Sequence, residues 1–303
     1  MRIYLNVLNT EKIYNKKYEK RRFEKMLDGI DVDEYNDAPV LQIYYYLIRM
    51  LMDNNNEKFY FKVKNILKNI TTSINFEDLI EMHINMQNFC RRKLSEGKQN
   101  YQREEFEILR WQLDAKTYTV NDSMAFIFYR NAVNTALKLN ELNWVKDFIE
   151  NFKNDLQEEF RESTYLYSSA QYEFAMKNYD LSLEKLSKIK FNEVYLKYEA
   201  KVLQMLIYYE TDSYEALISS LEAYRHFLQN NKLLSGNKKK LYQNFYKYFI
   251  KLVNSKKRND NAALIKIKNE ILNETTINNK DWLLKKIDAI LLSGKEERKL
   301  RRA

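Results

Sequence analysis

His83 and Cys90 lie seven residues apart in EMHINMQNFC, a spacing that puts both on one face of a helix. A metal centre there needs at least one further ligand, and only Glu81 or Asp78 is at hand. The face Ile80, His83, Ile84, Asn88 reads better as a partly buried helix side, with Cys90 a small buried hydrophobe. His226, the second of two histidines, follows Glu222 by four residues and forms a helix-surface pair with it. A general base needs a nucleophile and a polarising group beside it, and the sequence marks neither. Glu104, Glu105 and Glu107, and Glu158 with Glu159, resemble paired carboxylates. Adjacent positions on a helix diverge by about 100°, so these acids are expected to form solvated faces. Four glycines leave little for a phosphate cradle, and no Walker, GxGxxG, HExxH or GxSxG pattern occurs. The expectation is a chain that is not an enzyme and needs no cofactor or metal.

Two other resources stand out. KLLSGNKKKLYQNFYKYFIKLVNSKKRN, residues 232–259, holds nine basic residues and no acidic one. On a helix, Lys240, Asn244, Lys247, Lys251, Asn254 and Arg258 share a stripe about 80° wide. Leu241, Phe245, Tyr248, Phe249 and Leu252 take the opposite, core-facing side. Such a stripe suits a polyanion or an acidic protein surface, and otherwise is a solvated edge. The second resource is aromatic: 24 Tyr, 16 Phe and 3 Trp. Tyr44, Tyr45 and Tyr46 cannot all point one way, so at least one must face solvent or an interface. Exposed tyrosines with apolar bodies and polar tips are suited to anchoring a peptide or protein partner.

The elements that must position these residues are helices. With 45% apolar residues the chain can bury a sizeable core, yet four Gly and one Pro are too few for a sandwich, barrel or doubly wound fold. One Cys excludes a disulfide framework, and no window reaches the roughly 20 apolar residues of a membrane span. The opening MRIYLNVL lacks the long apolar run and cleavage site of a signal peptide, so a cytoplasmic location is expected. Three-to-four apolar spacing marks fourteen segments. They are 12–27, 40–53, 57–70, 76–95, 100–115, 122–140, 144–156, 162–177, 179–189, 194–210, 214–230, 238–254, 261–272 and 281–292. Gly29, Gly97, Gly236 and Gly294 are expected just past helix ends, Pro39 at a helix start, and Asn75 and Asp122 as N-caps.

A repeat runs through the middle. Trp144, Tyr179 and Tyr214 are 35 residues apart, each after a polar break (LNELNW, AMKNY, YETDSY) and each opening an apolar helix. That period and layout are those of a tetratricopeptide hairpin, without its Trp–Leu–Gly run or terminal Pro. Ala170 and Ser182 are expected to face each other where two helices approach closely, and Trp144, Tyr179 and Tyr214 to be buried wedges in the repeat core. The stretch Phe128–Leu234, above all LNWVKDFIENF, MKNYDLSLEKL and IYYETDSYEALISSLEAYRHFLQNNKLL, resembles a recurrent block in uncharacterised Bacteroidetes proteins with degenerate tetratricopeptide-like repeats. The resemblance implies a helical-repeat fold and brings no activity with it, because none is established for the group.

The expected architecture is an all-α solenoid of about seven helical hairpins in one domain. It comprises less regular hairpins at 1–120, the repeats at 121–235, basic helices at 236–292 and a charged tail at 293–303. Residues 231–303 hold 19 basic and 7 acidic groups against 32 and 35 in the remainder, a near-neutral body with a basic end. A non-catalytic scaffold binding a protein or peptide is the leading expectation. Nucleic-acid association through Lys240, Lys247, Lys251 and Arg258 is the alternative, and no membrane partner is expected.

Overall fold

A computed structural model describes all residues except 15–20, 54, 71–73, 121, 192, 231–235 and 301–303, and gives backbone alone for 11–14, 21–23, 120, 237 and 294–300. The start of the basic run and the end of the charged tail therefore lie outside the described residues. The architecture is all-helical. The helices are α1 (Arg2–Tyr14), α2 (Arg21–Asp28), α3 (Pro39–Met52), α4 (Lys58–Asn69), α5 (Phe76–Ser95), α6 (Tyr101–Asp114), α7 (Phe126–Lys138) and α8 (Leu142–Phe152). They continue with α9 (Glu158–Ala175), α10 (Tyr179–Ser187), α11 (Val194–Glu210), α12 (Tyr214–Asn230), α13 (Gly236–Arg258), α14 (Asn261–Asn273) and α15 (Lys280–Leu300).

The chain divides into two compact units, one of residues 1–145 with 155–157 and one of residues 146–154 with 158–303. The first unit is built on an apolar cluster that α3 dominates through Ile43, Leu47, Ile48 and Met50, with Tyr4, Tyr60, Met86, Phe89 and Tyr101 packed on it. In the second unit α11 is apolar on two faces, as a helix buried between neighbours must be. Leu196, Ala200, Leu203 and Ile207 meet α9 and α10. Tyr198, Val202, Met205, Leu206 and Tyr209 meet α12, α13 and the helices beyond.

The helix ends explain how so few glycines suffice. Gly97, at φ 89°, closes α5 with its N–H on Leu94 O and the Lys98 N–H on Lys93 O. The same paired closure recurs at Lys116, Asn140, Lys177, Asp212 and Asn259, all at positive φ without being glycine. Asn and Asp tolerate this conformation best, because their short polar side chains bond locally. Of the other expected glycine ends, Gly29 follows α2 without positive φ, whereas Gly236 opens α13 and Gly294 lies inside α15. Pro39 starts α3, and Asn75 caps α5 by accepting from the Glu77 N–H at 2.9 Å. Asp122 is not an N-cap. It turns a short antiparallel hairpin, β1 (Thr119–Val120) with β2 (Ser123–Met124), at φ 60°. The pairing of Thr119 with Met124 and of Val120 with Ser123 keeps these strand residues out of α7, which starts at Phe126.

Candidate functional site

Three left-handed turn residues precede successive helices at similar intervals. Asn140, Lys177 and Asp212 stand 37 and 35 residues apart, and α8, α10 and α12 each begin two residues later. Leu142, Tyr179 and Tyr214 each open a helix, whereas Trp144 lies two residues inside its own. Trp144 is half-buried, edge-on to Phe106 at 4.9 Å. Tyr179 is half-buried beside Phe174 at 5.8 Å. Ala170 and Ser182 are fully buried, and Ser182 Oγ donates to the Ala170 carbonyl at 2.7 Å across the α9–α10 seam. Tyr214 corrects the expectation of a core wedge: it is 39% exposed. Its ring lies at the start of α12, where the Lys257 ammonium of α13 sits over it at 4.9 Å.

That ring lines a cleft of about 310 Å³ where the end of α11, the start of α12 and the end of α13 meet. Tyr208, Tyr209, Tyr214, Leu217 and Val253 form its apolar walls, and Asp212, Lys256 and Lys257 its charged mouth. The left-handed Asp212 projects beside α13, and Lys256 Nζ donates to its Oδ1 at 2.7 Å. Lys256 also lies over the Tyr209 ring at 4.7 Å and Lys257 over the Tyr214 ring at 4.9 Å. Burial and the neighbouring Glu210 and Asp212 carboxylates push the Tyr209 hydroxyl well above the usual phenol range, so it stays neutral. Behind the cleft Tyr209 packs edge-on to Trp282 at 5.2 Å, and the Trp282 indole donates to Glu210 at 2.9 Å. Hollows of about 600 and 610 Å³ in the first unit are larger but more open to solvent. Of the polar groups that line them, Arg2 donates to Glu81 at 3.1 Å and Lys62 to Tyr46 at 3.2 Å.

The basic stripe is only partly free. Phe245, Tyr248, Phe249 and Leu252 are buried on the opposite side of α13. Lys240, Lys247 and Arg258 are exposed. Lys251 is not, because it pairs with Glu270 of α14 at 2.7 Å and holds that carboxyl below its ordinary range. Asn244, on the same stripe, donates to the Thr276 carbonyl at 2.7 Å. Lys256 and Lys257 of the cleft belong to the same basic run but lie off the stripe. The signal that could have found them is their position, in the last turn of α13 and beside the turn at Asp212.

The remaining candidates resolve into structure. His83 is buried with Nδ1 3.0 Å from Thr117 Oγ1, and burial pushes its imidazole down to about 4. Cys90 donates to the Tyr60 hydroxyl at 3.4 Å, and burial pushes the thiol up to about 12. Among the described residues no group of three or more His, Cys, Asp and Glu could hold a metal ion. His226 Nε2 lies 3.7 Å from Glu222 Oε1, which Arg225 also holds at 2.7 Å. The acids of α6 are not solvated faces. Glu104 and Glu107, one turn apart, converge on Lys64 at 2.5 and 2.6 Å, and the buried Glu105 meets Arg91 at 2.8 Å. Tyr44 and Tyr46 are buried, leaving Tyr45 as the half-exposed member of its triplet. Among the described residues no helix is long and apolar enough to cross a membrane. No protein-family model, curated protein or solved structure matches the chain.

Proposed function

We propose that this chain is a non-catalytic helical-repeat scaffold that binds a protein or peptide partner. The observation that supports it is the cleft of Tyr208, Tyr209 and Tyr214 with lysines at its mouth. Rigid aromatic rings with little rotamer freedom are the side chains that anchor interfaces. A concave, largely apolar site with a few placed polar groups is the general form of a binding site. The cleft lies beside a hairpin turn of the 35-residue register, and hairpin ends are where repeat proteins accept variation at low cost. The wider reading is a tetratricopeptide-like solenoid of about seven hairpins, allied to the Bacteroidetes block named above. A cytoplasmic setting accords with the one cysteine being free and buried.

The test is photocrosslinking in native cells with p-benzoylphenylalanine in place of Tyr214, and in place of Tyr35, which is 42% exposed in the first unit, as control. The proposal expects a discrete protein adduct from position 214 only. No adduct, or equal adducts at both positions, would count against it. The alternative is nucleic-acid association through Lys240, Lys247 and Arg258, supported by their exposure on α13. It requires affinity for single-stranded RNA or duplex DNA that falls steeply with salt and flattens when the three become Gln.

A further inference from the structure

Resting on the partner-binding reading of the same cleft, the geometry points to the chemistry of its occupant. It is an acidic peptide segment that inserts an aliphatic or aromatic side chain between the tyrosine walls and sets a flanking carboxylate against Lys257. Three observations lead there. First, about 310 Å³ is at the small end of ligand pockets, room for one or two side chains. Second, the mouth is cationic. Asp212, the one acid among the lining residues, is already paired with Lys256 at 2.7 Å. Lys257 touches the Tyr214 ring, and neither it nor the adjoining Arg258 forms an ion pair among the described residues. Third, the ring faces that a cationic ligand would use are taken by Lys256 on Tyr209 and Lys257 on Tyr214. A cationic occupant would have to displace these two lysines against like-charge repulsion, whereas an anionic one draws them to its own flanks, and a nucleic-acid backbone would leave Leu217 and Val253 unused.

Complementary charge steers such a segment to the cleft, and desolvation of the anchor supplies most of the affinity. The side chain enters as the Lys256 and Lys257 stems swing aside, which surface lysines do readily because their long chains are flexible.

The experiment uses the full chain and three blocked hexapeptides: Leu–Phe flanked by two Glu on each side, the same with Gln for Glu, and the same with Ala for Leu and Phe. Binding is read by calorimetry and by indole emission, because Tyr209 both lines the cleft and packs on Trp282. The variants are Lys257→Gln and Tyr214→Ala, at exposed positions where far-UV circular dichroism verifies the fold. The Glu peptide should bind the wild type. Replacing Glu by Gln in the peptide, or Lys257 by Gln, should weaken it about five- to tenfold, the scale of one charge-assisted hydrogen bond at a wet rim. The Ala peptide and Tyr214→Ala should each lose about tenfold or more. If the Gln peptide binds as tightly as the Glu peptide, the acidic assignment is overturned while the cleft stands as a partner site. If the Glu peptide binds Tyr214→Ala unchanged, the peptide sits elsewhere and the inference falls. If no peptide binds at millimolar concentration, the inference is overturned and the partner reading rests on the crosslink from position 214 alone.

Discussion

Lowering the pH should unlock the first unit through one side chain, His83. Its ring is buried, its Nδ1 is 3.0 Å from Thr117 Oγ1, and burial holds its folded value near 4 against 6.5 for a free imidazole. The unfolded chain therefore takes up a proton below pH 6.5 that the folded chain refuses until about pH 4. Stability rises with pH wherever the unfolded state binds more protons, so the folded state is at full strength above pH 6.5 and loses ground steadily down to pH 4. The gap between 6.5 and about 4 corresponds to a loss of about 3 kcal/mol when complete. Glu57, Glu107, Glu150, Glu184 and Glu270, all held below the usual carboxyl value of 4.5, act in the same direction but at lower pH. The window from pH 6.5 to 5 thus isolates the histidine. The assay is urea unfolding by circular dichroism across that window, wild type against His83→Gln. The variant should be weaker at pH 7.5 yet nearly flat between pH 6.5 and 5, where the wild type falls by about 1.5 kcal/mol, because the unfolded imidazole is only half protonated at the top of that window. Equal slopes for the two proteins would refute a buried, neutral His83.

Cys90, buried beneath the Tyr60 hydroxyl with its thiol pushed up to about 12, should resist a thiol reagent at pH 8 and react at once in urea; rapid labelling of the native chain would contradict its placement. Ala170→Leu should overpack the seam closed by Ser182 and lower stability by about 1–3 kcal/mol, and an unchanged melting temperature would mean that α9 and α10 do not pack as described. Lys177→Gly should stabilise by about 0.5–1 kcal/mol, because Lys177 sits at φ 62° where a side chain is strained; destabilisation would show that the strain is smaller than the backbone freedom gained by the unfolded chain.

Helices were legible in the sequence because their apolar spacing repeats over many residues, and Phe76–Ser95, Val194–Glu210 and Tyr214–Asn230 begin and end where that spacing does. Three features were not legible, each for a local physical reason. Arg2–Tyr14 is a helix that the spacing of 12–27 hides, because its buried positions Tyr4, Leu5 and Leu8 fall in an opening read only for its leader character. Helix ends marked by Asn, Lys and Asp instead of Gly carry no composition signal, so the start of α8 at Leu142 was read two residues late, at Trp144. Ion-pair convergence across helices, Lys64 on Glu104 and Glu107, depends on which faces meet, and one-dimensional spacing does not encode that. The cleft belongs to the same class. Tyr208 and Lys257 are far apart in sequence, and only the turn at Asp212 against the end of α13 brings them to one site.

The central proposal is that this cleft is where the chain engages a protein partner. The most direct measurement is quantitative affinity capture from the native organism with three baits: wild type, Tyr214→Ala with Lys257→Gln, and Lys240, Lys247 and Arg258 all replaced by Gln. The account predicts a stoichiometric protein partner retained by the wild type and by the stripe variant and depleted about tenfold or more by the cleft variant, as loss of an interface anchor requires. A partner held equally by the cleft variant, or nucleic acid recovered with the wild type and lost with the stripe variant, would contradict it.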